Sequence, residues 1–479
     1  MEWHACGMPE VAKARKAGSH QARFAEPHQP HKFPGPLLAR PYSFTNLFAY
    51  QKVLVMYVDQ ASTEQLRAWE SELSAEYQAH QARKLQLDLT RGKPSAEQLS
   101  LSNALDGCLN GNYIAPDGTD TRNYGGLDGL PELKRLAAEI LGVEADEVVV
   151  GGNSSLTLMY QAAAFGWVFG PNGAGSEWSK EDKVTFICPV PGYDRHFALT
   201  QELGIDMVTV PMLDDGPDMD AVEALIERDP SIRGLWCVPK YSNPTGCVYS
   251  EATVERIARL GQKAHPAFRV FWDNAYAVHD LNEHAPRLAS IATYCRQHGT
   301  EDSVYQFTST SKITFAGAGV SFFATSPRNL AEFKKHLACA TIGPDKVNQL
   351  RHLRLIPDMD ALRKLMAQHA SLLQPRFEAV TNVLEETLRD SDLGSWLVPQ
   401  GGYFVSFDTR PGLAREVVRL AGEAGVKLTP AGATFPYGKD PQDTNIRLAP
   451  SCPTVAELNQ AMAIFVTCVK LASVRQRLG

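Results

Sequence analysis

Five short apolar runs, each stopping abruptly at a polar cluster, constrain this chain more than any other feature. Val148–Val150 runs into Gly151-Gly152-Asn153-Ser154-Ser155, and Val184–Cys188 into Pro189-Val190-Pro191-Gly192-Tyr193-Asp194-Arg195-His196. Gly234–Val238 ends in Pro239-Lys240-Tyr241-Ser242-Asn243, Phe268–Trp272 in Asp273-Asn274-Ala275-Tyr276, and Val304–Phe307 in Thr308 to Lys312. Such runs read as buried strands. Helical periodicity separates them, as over Glu132–Leu141, where Pro131 suits the first turn. Strands alternating with helices predict an open α/β sheet. Ligands of such sheets sit at the carboxyl ends of the strands, the edge to which all five runs deliver polar groups.

One of these clusters holds an isolated charge. Between Ser303 and Pro327 the only charged side chain is Lys312, among apolar, small and hydroxylic neighbours. A buried ammonium is costly unless paired or chemically used. Lys312 therefore either reaches solvent or a structural acid, or its amine works in a cleft. Gly152-Asn153-Ser154, between a strand and an apolar helix, is either an ordinary helix start or a phosphate cradle of free N–H groups and hydroxyls. Likewise, Arg91-Gly92-Lys93 is a solvated loop or an anion-facing turn.

The length of 479 residues predicts two or more domains. Residues 1–55 are rich in His, Pro and basic residues and lack periodicity, which reads as a disordered extension. A targeting peptide fits them less well, and Met56 is an alternative start. A helix is expected from Ser62 to about Leu85. Beyond about Lys334 the texture changes to α+β: helices near 345–370 and 374–390, hairpin strands over Trp396–Phe407, a helix at Arg415–Gly422, strands at Val426–Thr429 and Asn445–Ala449, and a last helix from about Thr454. The net charge of −7 without a basic block gives no reason to expect a nucleic-acid partner. The longest apolar stretch, Leu156–Gly170, is too short to span a bilayer, so no membrane segment is expected. Nine scattered cysteines without a CxxC pair form neither a metal-ligand set nor a disulfide framework and fit a reducing cytoplasm.

Four motifs then occur in order: Asn243-Pro244-Thr245-Gly246, Asp273-Asn274-Ala275-Tyr276, Ser309-Thr310-Ser311-Lys312 and Asn445-Ile446-Arg447. Through them the chain, from about Asp88 to its end, resembles the fold-type I pyridoxal phosphate-dependent class I/II aminotransferases. The stretches LDLTRGKPS, GNSSL and SKITFAGAG look most like a bacterial aspartate aminotransferase subgroup related to the aminotransferase domain of MocR-type regulators. Taken singly, Asp273 is also an ordinary helix cap, Tyr276 a core residue, Asn243 a turn starter and Arg447 a strand arginine. Their co-occurrence carries the reading.

The resemblance implies a large domain (119–344) with a mostly parallel seven-stranded sheet between helices, and a smaller α+β domain built from 56–118 and 345–479. It implies pyridoxal 5'-phosphate as cofactor, held by Lys312 as a Schiff base, with Lys312 also the proton shuttle. Asp273 would meet the pyridine nitrogen, and Tyr276 and Asn243 the ring oxygen. Tyr193 would lie over the ring. Gly152, Asn153, Ser154, Ser309 and Tyr124 would hold the phosphate, Tyr124 across the interface of a homodimer. Many relatives carry a phosphate arginine where this chain has Val320, so Arg122, Lys346, or hydroxyls with the helix dipole would replace it. Arg447, with Asn243, would clamp the substrate α-carboxylate. Gly92 would cover the substrate, and Arg195 or Lys346 would read a distal carboxylate. The activity implied is ping-pong transfer of an amino group from aspartate to 2-oxoglutarate. Alanine, kynurenine and 2-aminoadipate are rival donors. A ligand-sensing regulator is a further alternative, although residues 1–80 show no helix-turn-helix pattern, and a binding protein without catalysis is another.

Overall fold

The computed structural model describes residues 56–479, so the extension expected over 1–55 lies outside the described residues. The expected α/β sheet is present. In spatial order its strands are Val148–Val150, Ser321–Ala324, Val304–Ser309, Arg269–Asp273, Ile232–Cys237, Thr185–Val190, Asp206–Leu213 and Gly216–Pro217. Seven of them form the sheet proper. The eighth, Gly216–Pro217, is a two-residue antiparallel edge. Ser321–Ala324 runs antiparallel to both its neighbours, and the other six strands share one direction. All residues of the strands at 148–150, 232–237, 269–273 and 304–309 are buried. A sheet covered on both faces selects such unbroken apolar runs.

The second sheet is antiparallel and three-stranded, Gly394–Trp396, Val405–Thr409 and Asn445–Leu448. A two-residue parallel pair ties Leu87–Asp88 to Val426–Lys427. One apolar core unites Met56 to Leu89 with Leu373 to Val474, so the two ends of the described chain fold together. Met359–Leu388 joins the domains: Leu362, Leu365 and Met366 pack with the large domain, whereas Leu373, Phe377 and Val380 pack with the small one.

One expectation is corrected here. The helix break placed at 370–374 does not exist, since the thirty-residue helix continues through Pro375. Ser371, whose carbonyl loses its partner, is exposed to water, and packing on either side holds the helix straight through. The real break is at Pro357, and Asp358 caps the new helix by accepting from the Ala361 N–H at 2.8 Å. One helix among the described residues, Val455–Leu478, is long and apolar enough to cross a membrane. It is a core helix of the small domain, with 61% of its apolar window buried.

Candidate active site

The sheet's carboxyl edge opens into a cavity of about 260 Å³. Asn153, Ser154, Tyr193, Asn243, Asp273, Tyr276, Ser309 and Lys312, predicted site residues from five separate segments, line it together. At its floor Asp273 ends a strand and is 2% exposed. Its Oδ2 accepts from His196 Nε2 at 2.9 Å, while Oδ1 is buried without a partner. His196 stacks on the Trp236 indole with centroids 4.2 Å apart and meets Tyr193 edge-on at 4.9 Å. Trp236 Nε1 donates to Thr200 Oγ1, which donates to the His196 carbonyl, so the imidazole is held on three sides.

Lys312 Nζ lies 4.9 Å from the centre of the Tyr276 ring. Burial lowers its pKa from that of a free lysine, and the charge of Asp273 opposes that shift. Behind it, the Lys312 carbonyl accepts from the Tyr403 hydroxyl at 3.3 Å, and Gln98 Nε2 donates to that hydroxyl at 2.9 Å. Burial pushes the Tyr276 phenol well above its usual value, so it remains a hydrogen-bond donor.

The turn at 151–153 is fastened by backbone bonds in both directions to Ser321, 2.7 Å each. Gly151 is required there, because a Cβ would lie 2.9 Å from Leu158 and Ser321 side-chain atoms. A Cβ on Gly152 would meet nothing, so that side of the turn is open. Ser154 caps the Ser155–Phe169 helix, and Ser311 donates to the Asn153 carbonyl at 2.7 Å, stitching the two hydroxyl-bearing segments together. Among the described residues lining the cavity, Lys312 is the single cation. Val320 is 1% exposed and sits in an apolar cluster with Ile313 and Phe322. Neither proposed replacement reaches the cavity of its own chain. Arg122 is exposed and forks onto Asp120, and Lys346 is buried with Nζ donating to the Gly125 carbonyl at 2.5 Å. Hydroxyls and helix N–H groups are what this chain offers an anion there.

Beside the cavity, next to its lining residue Asn243, Arg447 projects from the strand Asn445–Leu448. Its guanidinium lies 4.9 Å from the centre of the Phe404 ring, and Nη1 donates to Asn243 Oδ1 at 3.1 Å and Asp194 Oδ1 at 2.9 Å. Gly92 lies against the tip of the Phe404 ring, where a Cβ would fall 2.4 Å from Phe404 Cζ. Tyr124 is 83% exposed and lies outside the cavity, next to the Gly125 carbonyl that receives Lys346. Arg195 is exposed on the first turn of the helix Asp194–Glu202 and is not a lining residue. Sequence reasoning did not single out His196, Trp236, Asp194 or Phe404. His196 had one available signal, its position one helical turn after Tyr193 in the same post-strand cluster.

The cavity suits a phosphorylated pyridine aldehyde: an unpartnered buried carboxylate oxygen for a ring N–H, an amine for the aldehyde, and an open hydroxyl-rich helix start for the phosphate. With this fold, it defines a fold-type I pyridoxal phosphate-dependent transferase. A family model described as aspartate amino-transferase matches residues 61–479. The chain is 46% identical over 413 residues to an aspartate aminotransferase of Corynebacterium glutamicum, covering 86% of this chain and 95% of that one. It superposes on the crystal structure of an aspartate transaminase from the same species with a TM-score of 0.86 and 44% identity, covering 88% of this chain and all of the other. An alpha-aminoadipate aminotransferase of Thermus thermophilus, complexed with N-(5'-phosphopyridoxyl)-L-leucine, shares the fold at a TM-score of 0.65 and 21% identity, over 86% of this chain and 95% of that one. The chain therefore belongs to the aspartate aminotransferase family. It is an aminotransferase, and pyridoxal phosphate is its cofactor.

Proposed function

We propose that the enzyme moves an amino group from aspartate to 2-oxoglutarate, forming oxaloacetate and glutamate in two half-reactions at one site. The donor reading is supported by the 46% identical relative named aspartate aminotransferase. The catalytic reading is carried by the unpartnered Asp273 Oδ1 in the same cavity as the Lys312 amine.

When bound, pyridoxal phosphate supplies an electron sink for the bond broken at the substrate Cα. The protein's part is positioning and proton movement. Lys312, its basicity lowered by burial, carries the cofactor and moves the proton between carbon atoms. Asp273 Oδ1 would accept from the ring nitrogen. Tyr276 and Asn243 would meet the ring oxygen, and Tyr193 would lie over the ring. Gly152, Asn153, Ser154 and Ser309 would hold the phosphate. Arg447, with Asn243, takes the substrate α-carboxylate. Gly92 leaves room for the Phe404 ring against it and would cover the bound substrate, excluding water.

The enzyme is proposed to act as a homodimer in a reducing cytoplasm. Tyr124 is exposed outside its own cavity, beside the Gly125 carbonyl that receives the buried Lys346, which suits a residue that serves a second copy. The eight described cysteines are free thiols. For the distal carboxylate, Arg195 is assigned first and Lys346 second. Steady-state kcat/KM over a panel of donors tests the reading: aspartate should lead. Alanine, kynurenine or 2-aminoadipate ahead of aspartate would overturn it. In the same panel Arg195→Ala should raise KM for aspartate more than for alanine.

A further inference from the structure

Arg447 is nearly buried, with a side chain 8% exposed, and it already holds a carboxylate. Asp194 Oδ1 accepts from its Nη1 at 2.9 Å. An arginine removed from water to this extent is costly without a counter-charge, and Asp194 supplies one. The contact, however, is the weaker of the two forms such a pair takes. It uses one carboxylate oxygen and one terminal nitrogen, and that nitrogen is shared with Asn243 Oδ1 at 3.1 Å. Nε, on the remaining side of the fork, is buried with no partner. A carboxylate able to engage two N–H groups at once forms the stronger, bidentate contact.

Asp194 is also placed to let go cheaply. Its side chain is one-third exposed, so water can take over its oxygens. It is the first residue of the helix Asp194–Glu202, where the dipole stabilises a negative charge with or without Arg447. Arg447 comes from the small domain and Asp194 from the large one, 253 positions apart, so the contact also spans the two lobes.

We propose that Asp194 is a resident carboxylate that occupies Arg447 in the substrate-free enzyme and is displaced by the α-carboxylate of each incoming amino or oxo acid. It thereby sets the affinity for every substrate, whatever its side chain, and rebinds as product leaves. This rests on the reading of Arg447 as the α-carboxylate clamp. Asp194 acts through Arg447 and is a positioning residue, not a catalytic one.

The test uses holoenzyme carrying Asp194→Asn, which keeps an acceptor oxygen and removes the charge, and Asp194→Ala, which removes both. Both should lower KM for aspartate and for 2-oxoglutarate by the same factor, about fivefold to tenfold, on the scale of one competing charge-assisted hydrogen bond. The calorimetric dissociation constant of maleate, a dicarboxylate without an amine, should fall equally, with kcat changed less than about twofold. An unchanged or raised KM in both variants overturns the proposal, because a carboxylate that merely orients Arg447 or caps its helix would give that result. Arg447→Lys separates the two claims. If it raises KM for both substrates while the Asp194 variants do not lower it, only the displacement proposal falls. If it leaves KM unchanged, the clamp reading falls and takes the proposal with it.

Discussion

Two carboxylate contacts of 2.9 Å flank the site, Asp273–His196 and Asp194–Arg447, and they differ in burial and in origin. At the ring end, Asp273 and His196 are 3% and 2% exposed in their side chains, and both come from the large domain. The imidazole is wedged between the Trp236 and Tyr193 rings. At the carboxylate end, Arg447 is 8% exposed but Asp194 33%, and the partners come from different domains. Equal distance does not mean equal permanence. A pair whose members both lack water can dissociate only by leaving a bare buried charge, whereas a pair with one hydrated member can exchange. The ring end is a fixture, and the carboxylate end is a socket.

The strongest way to break this contrast is to remove the fixture. Asp273→Ala deletes the acceptor for the ring nitrogen and strands His196. We expect kcat to fall by about a thousandfold, the range for losing a preorganised electrostatic group at the reacting centre. KM for aspartate should move far less. The two parameters come from one saturation curve, and a loss confined to KM would show that Asp273 belongs to binding instead. A smaller effect should follow at the socket. Gly92→Ala places a methyl 2.4 Å from Phe404 Cζ, and Phe404, 6% exposed, has nowhere to turn. The ring and the guanidinium 4.9 Å from its centre must shift, at the cost of about 1–3 kcal/mol typical of overpacking. KM should rise about tenfold for both substrates with kcat nearly unchanged. Phe404→Leu in the same chain should recover part of that loss if the clash is the cause.

The same contrast explains what could be read before any coordinates. Charges at the ring end were visible because they interrupt apolar strands: Asp273 and Lys312 each stand at the end of a buried run. The strand Ser321–Ala324 was missed because it lies inside one long uncharged stretch, where periodicity cannot separate strand from loop. Asp206–Leu213 was missed for the opposite reason, since it is a mostly uncovered strand carrying Pro211 near its end. Pro375 misled in a third way, because local sequence cannot show that tertiary packing will carry a helix through a proline. The partners were the least legible. His196 is 77 positions from Asp273, and Asp194 is 253 from Arg447. Nothing local in either residue announces a contact made only when the sheet and the two lobes have assembled.

The smallest expected effect sharpens the fixture end, through pH. His279 is 2% exposed, with Nε2 3.4 Å from the Lys312 carbonyl and Nδ1 without a partner. Burial, reinforced by the Lys312 charge, pushes its pKa well below the ordinary 6.5. The unfolded chain therefore binds a proton near pH 6.5 that the folded chain refuses. Stability contributed by the neutral imidazole is present above 6.5 and is lost as pH falls, by at most about 1.4 kcal/mol per pH unit for one such group. His279→Gln, which cannot take the proton, should flatten this slope when urea midpoints of the apo-protein are compared between pH 7 and pH 5. His352 and His369, also depressed by burial, keep part of it. Asp194→Asn should leave the slope as it was, because no imidazole at the socket end is involved. An identical slope in the His279 variant would mean that this histidine reaches water from a site as open as that of Asp194, and the distinction between the two ends would lose its physical basis.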